Sequence, residues 1–228
     1  MENATEIEGR LGYIFEDKEL LTEALTHRSF YYENPDTSTA HNERLEFLGD
    51  SVLGLVIVEF LFLSDKNLTE SVMAKIKSYL VKEAVLSEIA GSLSLGKYLR
   101  LGKGEEATGG RTKKSLLSDT IEAVLGAIYL EGGYQKAQEV VLRLFREKID
   151  GIMHTTVFAD YKTELQEKTQ LLFSTLPDYR LIKQEGEEHK KVFTIEVYVD
   201  GKKFGSGTGK SKKEAQTFAA KEAISKLS

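Results

Sequence analysis

The segment ERLEFLGDSVLGLVIVEFLFL, Glu43 to Leu63, restricts the fold more than any other stretch of the chain. At about 100° per residue in a helix, Glu43, Glu46 and Asp50 fall within about 60° of one another, and Gly54 extends their stripe by a turn. Leu45, Leu48, Val52, Leu53, Leu55 and Val56 fill the other directions. A helix apolar nearly all round is a buried one. Carboxylates on such a helix need cations or protons, because their uncompensated burial is costly.

A second segment, SDTIEAVLGAIYLEGG, repeats the design. Asp119 and Glu122 are i, i+3 neighbours, and Gly126 follows on the same stripe, with Leu116, Leu117, Ile121, Val124, Leu125 and Ile128 elsewhere around the helix. Two such helices, each with an acid pair and a following glycine, can approach closely and gather four carboxylates. All-oxygen sites suit hard divalent cations such as Mg²⁺. Two such ions can hold the attacking and leaving oxygens of a phosphodiester hydrolysis. A structural ion-pair cluster with Arg44 or Lys75 is the other reading of the same spacing.

The chain has two regions of different period. Up to about residue 150, apolar residues recur at three- and four-residue spacing, which predicts helices near 5–11, 18–28, 41–63, 69–79, 83–94, 115–131 and 134–150. From about 160 the order becomes helix (160–173), three alternating segments (YRLIKQE, KKVFTIEVYVD, KKFGSGTG) and a last helix near 211–227. VDGK is an Asp-Gly hairpin turn, and Ser211 with Glu214 forms a capping box. Charge divides the same way. From Thr156 onward there are 13 Lys/Arg against 11 Asp/Glu, while the rest holds 18 against 25. An acidic first part and a mildly basic tail predict two domains with different tasks.

Other classes are set aside by composition. With no cysteine there is neither a disulfide framework nor a thiolate metal site. The opening MENATEIEGR lacks the order of a secretory signal, and the apolar run Val52 to Leu63 contains Glu59 and is read as too short for a bilayer. A cytoplasmic protein with no membrane partner is expected.

At the acid segments a resemblance becomes specific. NERLEFLGDSVLG and SLLSDTIEAVLGAIYLEGG resemble the two acidic blocks of the bacterial ribonuclease III family, and the likeness extends over nearly the whole chain. The resemblance implies an all-α endonuclease domain (1–153) followed by an α-β-β-β-α double-stranded-RNA-binding domain (158–228). It implies Glu46, Asp50, Asp119 and Glu122 as metal ligands, with Asp50 and Glu122 catalytic and the loss of Glu122 most damaging. Glu43 and Glu70 match two supporting acids near the cleft. Phe47 projects almost into the acid stripe; core packing is one reading, and insertion into the partner of a homodimer is the role the resemblance implies. His27, in ALTHRSF, is read as structural rather than as an acid–base catalyst.

In the tail, Lys210, Lys212 and Lys213 gather at the start of the last helix, against its dipole, as a phosphate-binding end would. Gln166 and Gln170 share a helix face, and their amides can bond ribose 2′-hydroxyls. His189 sits in the turn between the first two strands. Together these resemble a domain that reads duplex RNA by shape. Arg111, Lys113 and Lys114 precede Asp119 in a Gly-rich connection and either steer the scissile backbone or form a solvated loop. The expected activity is Mg²⁺-dependent cleavage of double-stranded RNA by a homodimer, Mn²⁺ being a substitute and no other cofactor being needed. Its expected products carry 5′-phosphate and 3′-hydroxyl ends with short 3′ overhangs, in ribosomal-RNA-precursor and messenger processing. A non-catalytic duplex binder and a purely structural helical protein are the rival classes.

Overall fold

A computed structural model of the chain describes residues 2–38, 40–66, 68–153, 161–186 and 191–227. It divides into two compact units, Met1–Ile152 and Met153–Ser228. The first is helical: α1 (Glu2–Leu11), α2 (Lys18–Ala24), α3 (Arg28–Glu33), α4 (Glu43–Ser64), α5 (Glu70–Leu80), α6 (Glu83–Ser92), α7 (Lys103–Ala107) and α8 (Lys114–Met153). Among the described residues of this unit the isolated bridge between Thr26 and Arg100 is the β pairing present. α3 and α7 are additions to the sequence reading. Each is too short to show a period, and α3 is started by His27, whose ring accepts the Ser29 N–H. The two helices expected over 115–131 and 134–150 are both present, run end to end as α8 and separated by a kink at Gly133, where φ is +73°. That left-handed backbone suits glycine.

α4 is the central element. Val52, Leu53, Val56, Ile57 and Leu61 are buried, each contributing about 1.5–3 kcal/mol through the hydrophobic effect. Glu59 is held by hydrogen bonds from Tyr134 Oη and Gln138 Nε2, both at 2.5 Å. The apolar run read as ending after twelve residues belongs to a 22-residue helix, which by length and composition alone could cross a membrane. Two kinds of contact surface account for that composition. One face lies in the core, and Phe47, Leu55, Val58 and Phe62 form an exposed stripe along another.

The second unit runs α9 (Tyr161–Phe173), β1 (Asp178–Glu185), β2 (Val192–Val199), β3 (Lys202–Gly209) and α10 (Lys212–Lys226). The strands form one antiparallel sheet in the order β1-β2-β3. Asp200 and Gly201 both have positive φ, as the two-residue hairpin requires. Ile195, Val197 and Val199 are buried, and on β3 Gly207 and Gly205 lie opposite Ile195 and Val197, with Gly209 opposite Phe193. A Cβ at Gly205 or Gly207 would stand 2.2 Å from the carbonyl oxygen of Ala219 or Ala215. α10 therefore lies on the strand backbone, its Ala215, Ala219 and Ala223 fully buried. The Ser211 hydroxyl caps α10 by accepting the Glu214 N–H at 3.1 Å. The Glu214 carboxylate accepts from Lys210 N–H at 2.6 Å, one residue earlier than a capping box has it.

Candidate metal and RNA-binding sites

The acid site exists because α4 and α8 cross in backbone contact. A Cβ built on Gly49 would lie 1.8 Å from the Glu122 carbonyl oxygen, and one on Gly126 would lie 2.3 Å from that of Leu45. Gly126 is the glycine expected from the sequence, but its counterpart is Gly49 rather than Gly54. A Cβ on Gly54 would meet only the end of the Lys77 side chain, at 3.4 Å. The crossing brings oxygen atoms of Glu46, Asp119 and Glu122 within 4.8 Å of one another.

These three acids are half-buried rather than enclosed. Burial pushes the Glu122 carboxyl up to about 8, with further contributions from Asp50, Glu46 and Asp119. Burial likewise raises Glu46, assisted by Asp119, Glu43 and Asp50. Asp119 is raised by burial and then by Glu83 and Glu43. Every neighbouring charge that acts on the three is negative. Glu8 shows the alternative in the same unit: it is buried and accepts from Phe15 N–H at 2.8 Å and Lys18 Nζ at 2.5 Å. A structural acid is supplied with donors in this way, whereas the α4–α8 cluster accumulates like charge. Such an arrangement suits a multivalent cation, and its all-carboxylate donors are those a hard divalent ion takes.

The other sequence candidates are placed as follows. Asp50 is exposed beside the trio, near enough to be the leading charge on Glu122. Glu43 is exposed and pairs with Arg28 at 3.2 Å. Glu70 opens α5 and is exposed. Glu83, the first residue of α6, was not anticipated; its effect on Asp119 depends on tertiary packing that spacing does not reveal. Phe47 is 80 % exposed, so core packing does not explain it. It borders a pocket of about 610 Å³ lined by Leu20, Leu45, Leu48 and Leu130 together with Glu23, His41, Glu43 and Arg44. Arg111 is committed to structure: Nη1 donates to the carbonyls of Gly96 (3.0 Å) and Leu99 (2.8 Å), and Nε pairs with Glu106 at 2.7 Å. Lys113 instead lines a cleft beside the acids.

In the second unit Gln166 and Gln170 are exposed on one face of α9. That helix is joined to α10 by a Lys162 Nζ to Gln216 Oε1 hydrogen bond of 2.9 Å. Lys210, Lys212 and Lys213 are exposed around the start of α10, and among the described residues none enters an ion pair. His189 lies outside the described residues.

Comparison with known proteins assigns a family to each of the two units. Residues 17–149 match a family described as ribonuclease-III-like, and residues 161–227 match the double-stranded RNA binding motif. Ribonuclease 3 of Aliarcobacter butzleri is 44% identical over 227 residues, covering 100% of this chain and 99% of that protein. The chain belongs to the ribonuclease III family. Ribonuclease 3 of Caldanaerobacter subterraneus is 45% identical over 98% of this chain and 97% of its own. The solved nuclease domain of ribonuclease III from Campylobacter jejuni superposes with a TM-score of 0.59 at 43% identity, covering 65% of this chain and 97% of that one. A second structure of that domain, described for structural flexibility in a region involved in dimer formation, gives 0.58 at 44% identity over 62% of this chain and 95% of its own. As a member of the ribonuclease III family, the chain is an endoribonuclease specific for double-stranded RNA, with an all-α nuclease domain and an α-β-β-β-α RNA-binding domain.

Proposed function

We propose that the enzyme hydrolyses duplex RNA with Mg²⁺, for which Mn²⁺ can substitute, held by Glu46, Asp50, Asp119 and Glu122, with Glu43 and Glu70 in support. The observation that carries this reading is the convergence of Glu46, Asp119 and Glu122 oxygens from two helices in backbone contact. Bound hard cations supply a water of lowered pKa and a polarised phosphoryl group. The carboxylates fix where that chemistry occurs, and their half-burial keeps the site rigid on one side and open to a strand on the other. Water adds to phosphorus and the P–O3′ bond breaks, leaving a 5′-phosphate and a 3′-hydroxyl. Ribosomal RNA precursors and structured messengers in the cytoplasm are the proposed substrates.

The same reading makes the enzyme a homodimer. Phe47 and the pocket beside it form a knob and a hole on one surface, as a two-fold contact requires, and the exposed stripe of α4 extends the apolar area. Two acid clusters would then serve two strands, and a staggered cut leaves short 3′ overhangs. Gln166, Gln170 and His189 are assigned to the minor groove, and Lys210, Lys212 and Lys213 to phosphates. The proposed domains are residues 1–153 and 158–228.

The test is Glu122→Gln in the full chain, assayed on a labelled duplex with Mg²⁺. Cleavage should fall by at least about a thousand-fold while RNA affinity measured in Ca²⁺ stays within about two-fold. Retained cleavage would remove Glu122 from the site. In parallel, Phe47→Ala should sediment as a monomer at concentrations where the parent is a dimer.

A further inference from the structure

The cleft beside the acids, about 680 Å³, is lined among others by His27, Arg28, Lys113, Glu46 and Asp119. Two of its cations are already engaged: Arg28 with Glu43, and Lys113 with Glu105 at 3.2 Å. His27 differs from both. Its backbone is fixed, its N–H donating to the Arg100 carbonyl at 3.1 Å, while the neighbouring Thr26 carbonyl accepts from Asn42 N–H at 2.9 Å. Its ring is fixed as well. Nδ1 accepts the Ser29 N–H at 3.2 Å and lies 2.8 Å from Ser29 Oγ. That hydroxyl oxygen in turn accepts the Gly102 N–H at 2.9 Å, so its own hydrogen is free to point at Nδ1.

A ring nitrogen that accepts a backbone N–H carries no proton of its own. The ring is therefore the neutral tautomer with its hydrogen on Nε2. Burial also lowers the basicity of this histidine, and the nearby charges of Glu105, Arg28, Glu43 and Lys113 have mixed sign. Among the described residues Nε2 has no partner. The helix-capping role uses only Nδ1 and leaves Nε2–H without an assignment. Here Ser29 and Gly102 fix the tautomer of a half-buried ring that lines the cleft holding two of the proposed metal ligands, and the ring's N–H at Nε2 is left over.

We propose that His27 is a substrate-contacting residue whose Nε2–H donates to a backbone oxygen of the RNA strand within a few nucleotides of the cut. This rests on the acid cluster being the site of cleavage. The acceptor is a non-bridging phosphate oxygen or a ribose 2′-hydroxyl; both present the same chemistry to a neutral donor. The relay Gly102–Ser29–His27 acts as positioning machinery, since it determines which nitrogen holds the hydrogen.

The experiment uses the full-length chain, excess enzyme, Mg²⁺ and synthetic duplexes. Each duplex carries one 2′-deoxy or one phosphorothioate substitution within three nucleotides of the cut. His27→Ala should slow cleavage of the unmodified duplex about ten-fold at saturation, as expected for one lost hydrogen bond to a polar or charged acceptor. His27→Gln, which offers an amide hydrogen near the place of Nε2–H, should recover most of that rate. One substituted duplex should be slow with the parent enzyme yet carry no added penalty with His27→Ala. If that duplex is a 2′-deoxy one the acceptor is the hydroxyl, and if it is a phosphorothioate the acceptor is the phosphate. Nitrogen NMR of the RNA-free enzyme should show His27 protonated at Nε2 and not at Nδ1 near neutral pH. The proposal is overturned by His27→Ala cleaving within two-fold of the parent. It is also overturned if every substitution penalises parent and variant equally, because the ring would then act on folding alone. A parent enzyme that binds duplex but never cuts it would overturn the nuclease reading and this one together, whereas an active parent with an equally active His27→Ala overturns only this one.

Discussion

Both units bring two elements into backbone contact through small residues, yet they use the contact differently. In the nuclease unit, Gly49 and Gly126 let α4 and α8 cross so closely that carboxylates flanking the crossing are crowded together and partly cut off from water. In the RNA-binding unit, Gly205, Gly207 and Gly209 let α10 lie on β3, but the charged residues at the start of α10 remain exposed. One contact concentrates charge, as the proposed ion site needs, and the other supplies a firm base for solvated lysines, which are proposed to reach phosphates. Electrostatic energy per charge is large in the first and small in the second, because the dielectric surroundings differ.

The largest effects should come from filling the contacts. Gly49→Ala places a methyl where the Glu122 backbone stands. It should destabilise the nuclease unit by about 3 kcal/mol, near the upper end for overpacking, and abolish cleavage. Gly207→Ala should instead remove RNA affinity while the nuclease unit keeps its thermal transition. Calorimetric melts of the two variants decide whether each contact serves its own unit, and damage spreading equally to both would break the comparison.

A pH effect follows from the first contact alone. The Glu122 carboxyl is held up to about 8 when folded, against an ordinary 4.5. Between these values the folded chain keeps a proton that the unfolded chain has lost, so stability falls as pH rises through that window and levels off above it. Without divalent ions, the melting temperature of the parent should fall more between pH 6 and 8.5 than that of Glu122→Gln. Equal slopes would mean that Glu122 titrates normally.

The solvated lysines should respond more gently. Lys212→Gln with Lys213→Gln should weaken duplex binding several-fold and reduce the salt slope of log affinity by about one per lost phosphate contact, leaving the cleavage rate at saturating RNA unchanged. Binding titrations at three salt concentrations measure this. The smallest effect belongs to Gly54→Ala, which should shift stability by no more than about 1 kcal/mol, because its new methyl meets only the tip of Lys77. Set beside Gly49→Ala, it locates the crossing.

That pair also shows what spacing could reveal. The acid stripe was legible because 3.6-residue periodicity places Glu43, Glu46 and Asp50 together. The same logic selected Gly54, which lies on that stripe, whereas the contact occurs at Gly49, about 100° from Asp50. On α8 the contact does run along the acid stripe, through Gly126, while on α4 it lies to one side, and the acids remain half-buried. Direction of contact is a tertiary property, and for the same reason Glu83 beside Asp119 escaped notice. Phe47 was ambiguous because a core residue and an interface residue have the same side chain and differ only in their surroundings. The β3 glycines did carry a readable signal, alternate glycines opposite alanines spaced by four, and their role follows from matching those two periods. The Asp-Gly hairpin and the Ser211 cap were legible because local backbone chemistry sets them.

The most direct test of the acid cluster is calorimetric titration of Mg²⁺ into the RNA-free full chain and its Glu122→Gln variant at pH 7 and pH 8.5. The account predicts that the parent releases protons on binding and binds more tightly at the higher pH, while the variant binds at least ten-fold more weakly with proton release largely gone. Equal affinity in the two proteins, with no proton released by either, would contradict it.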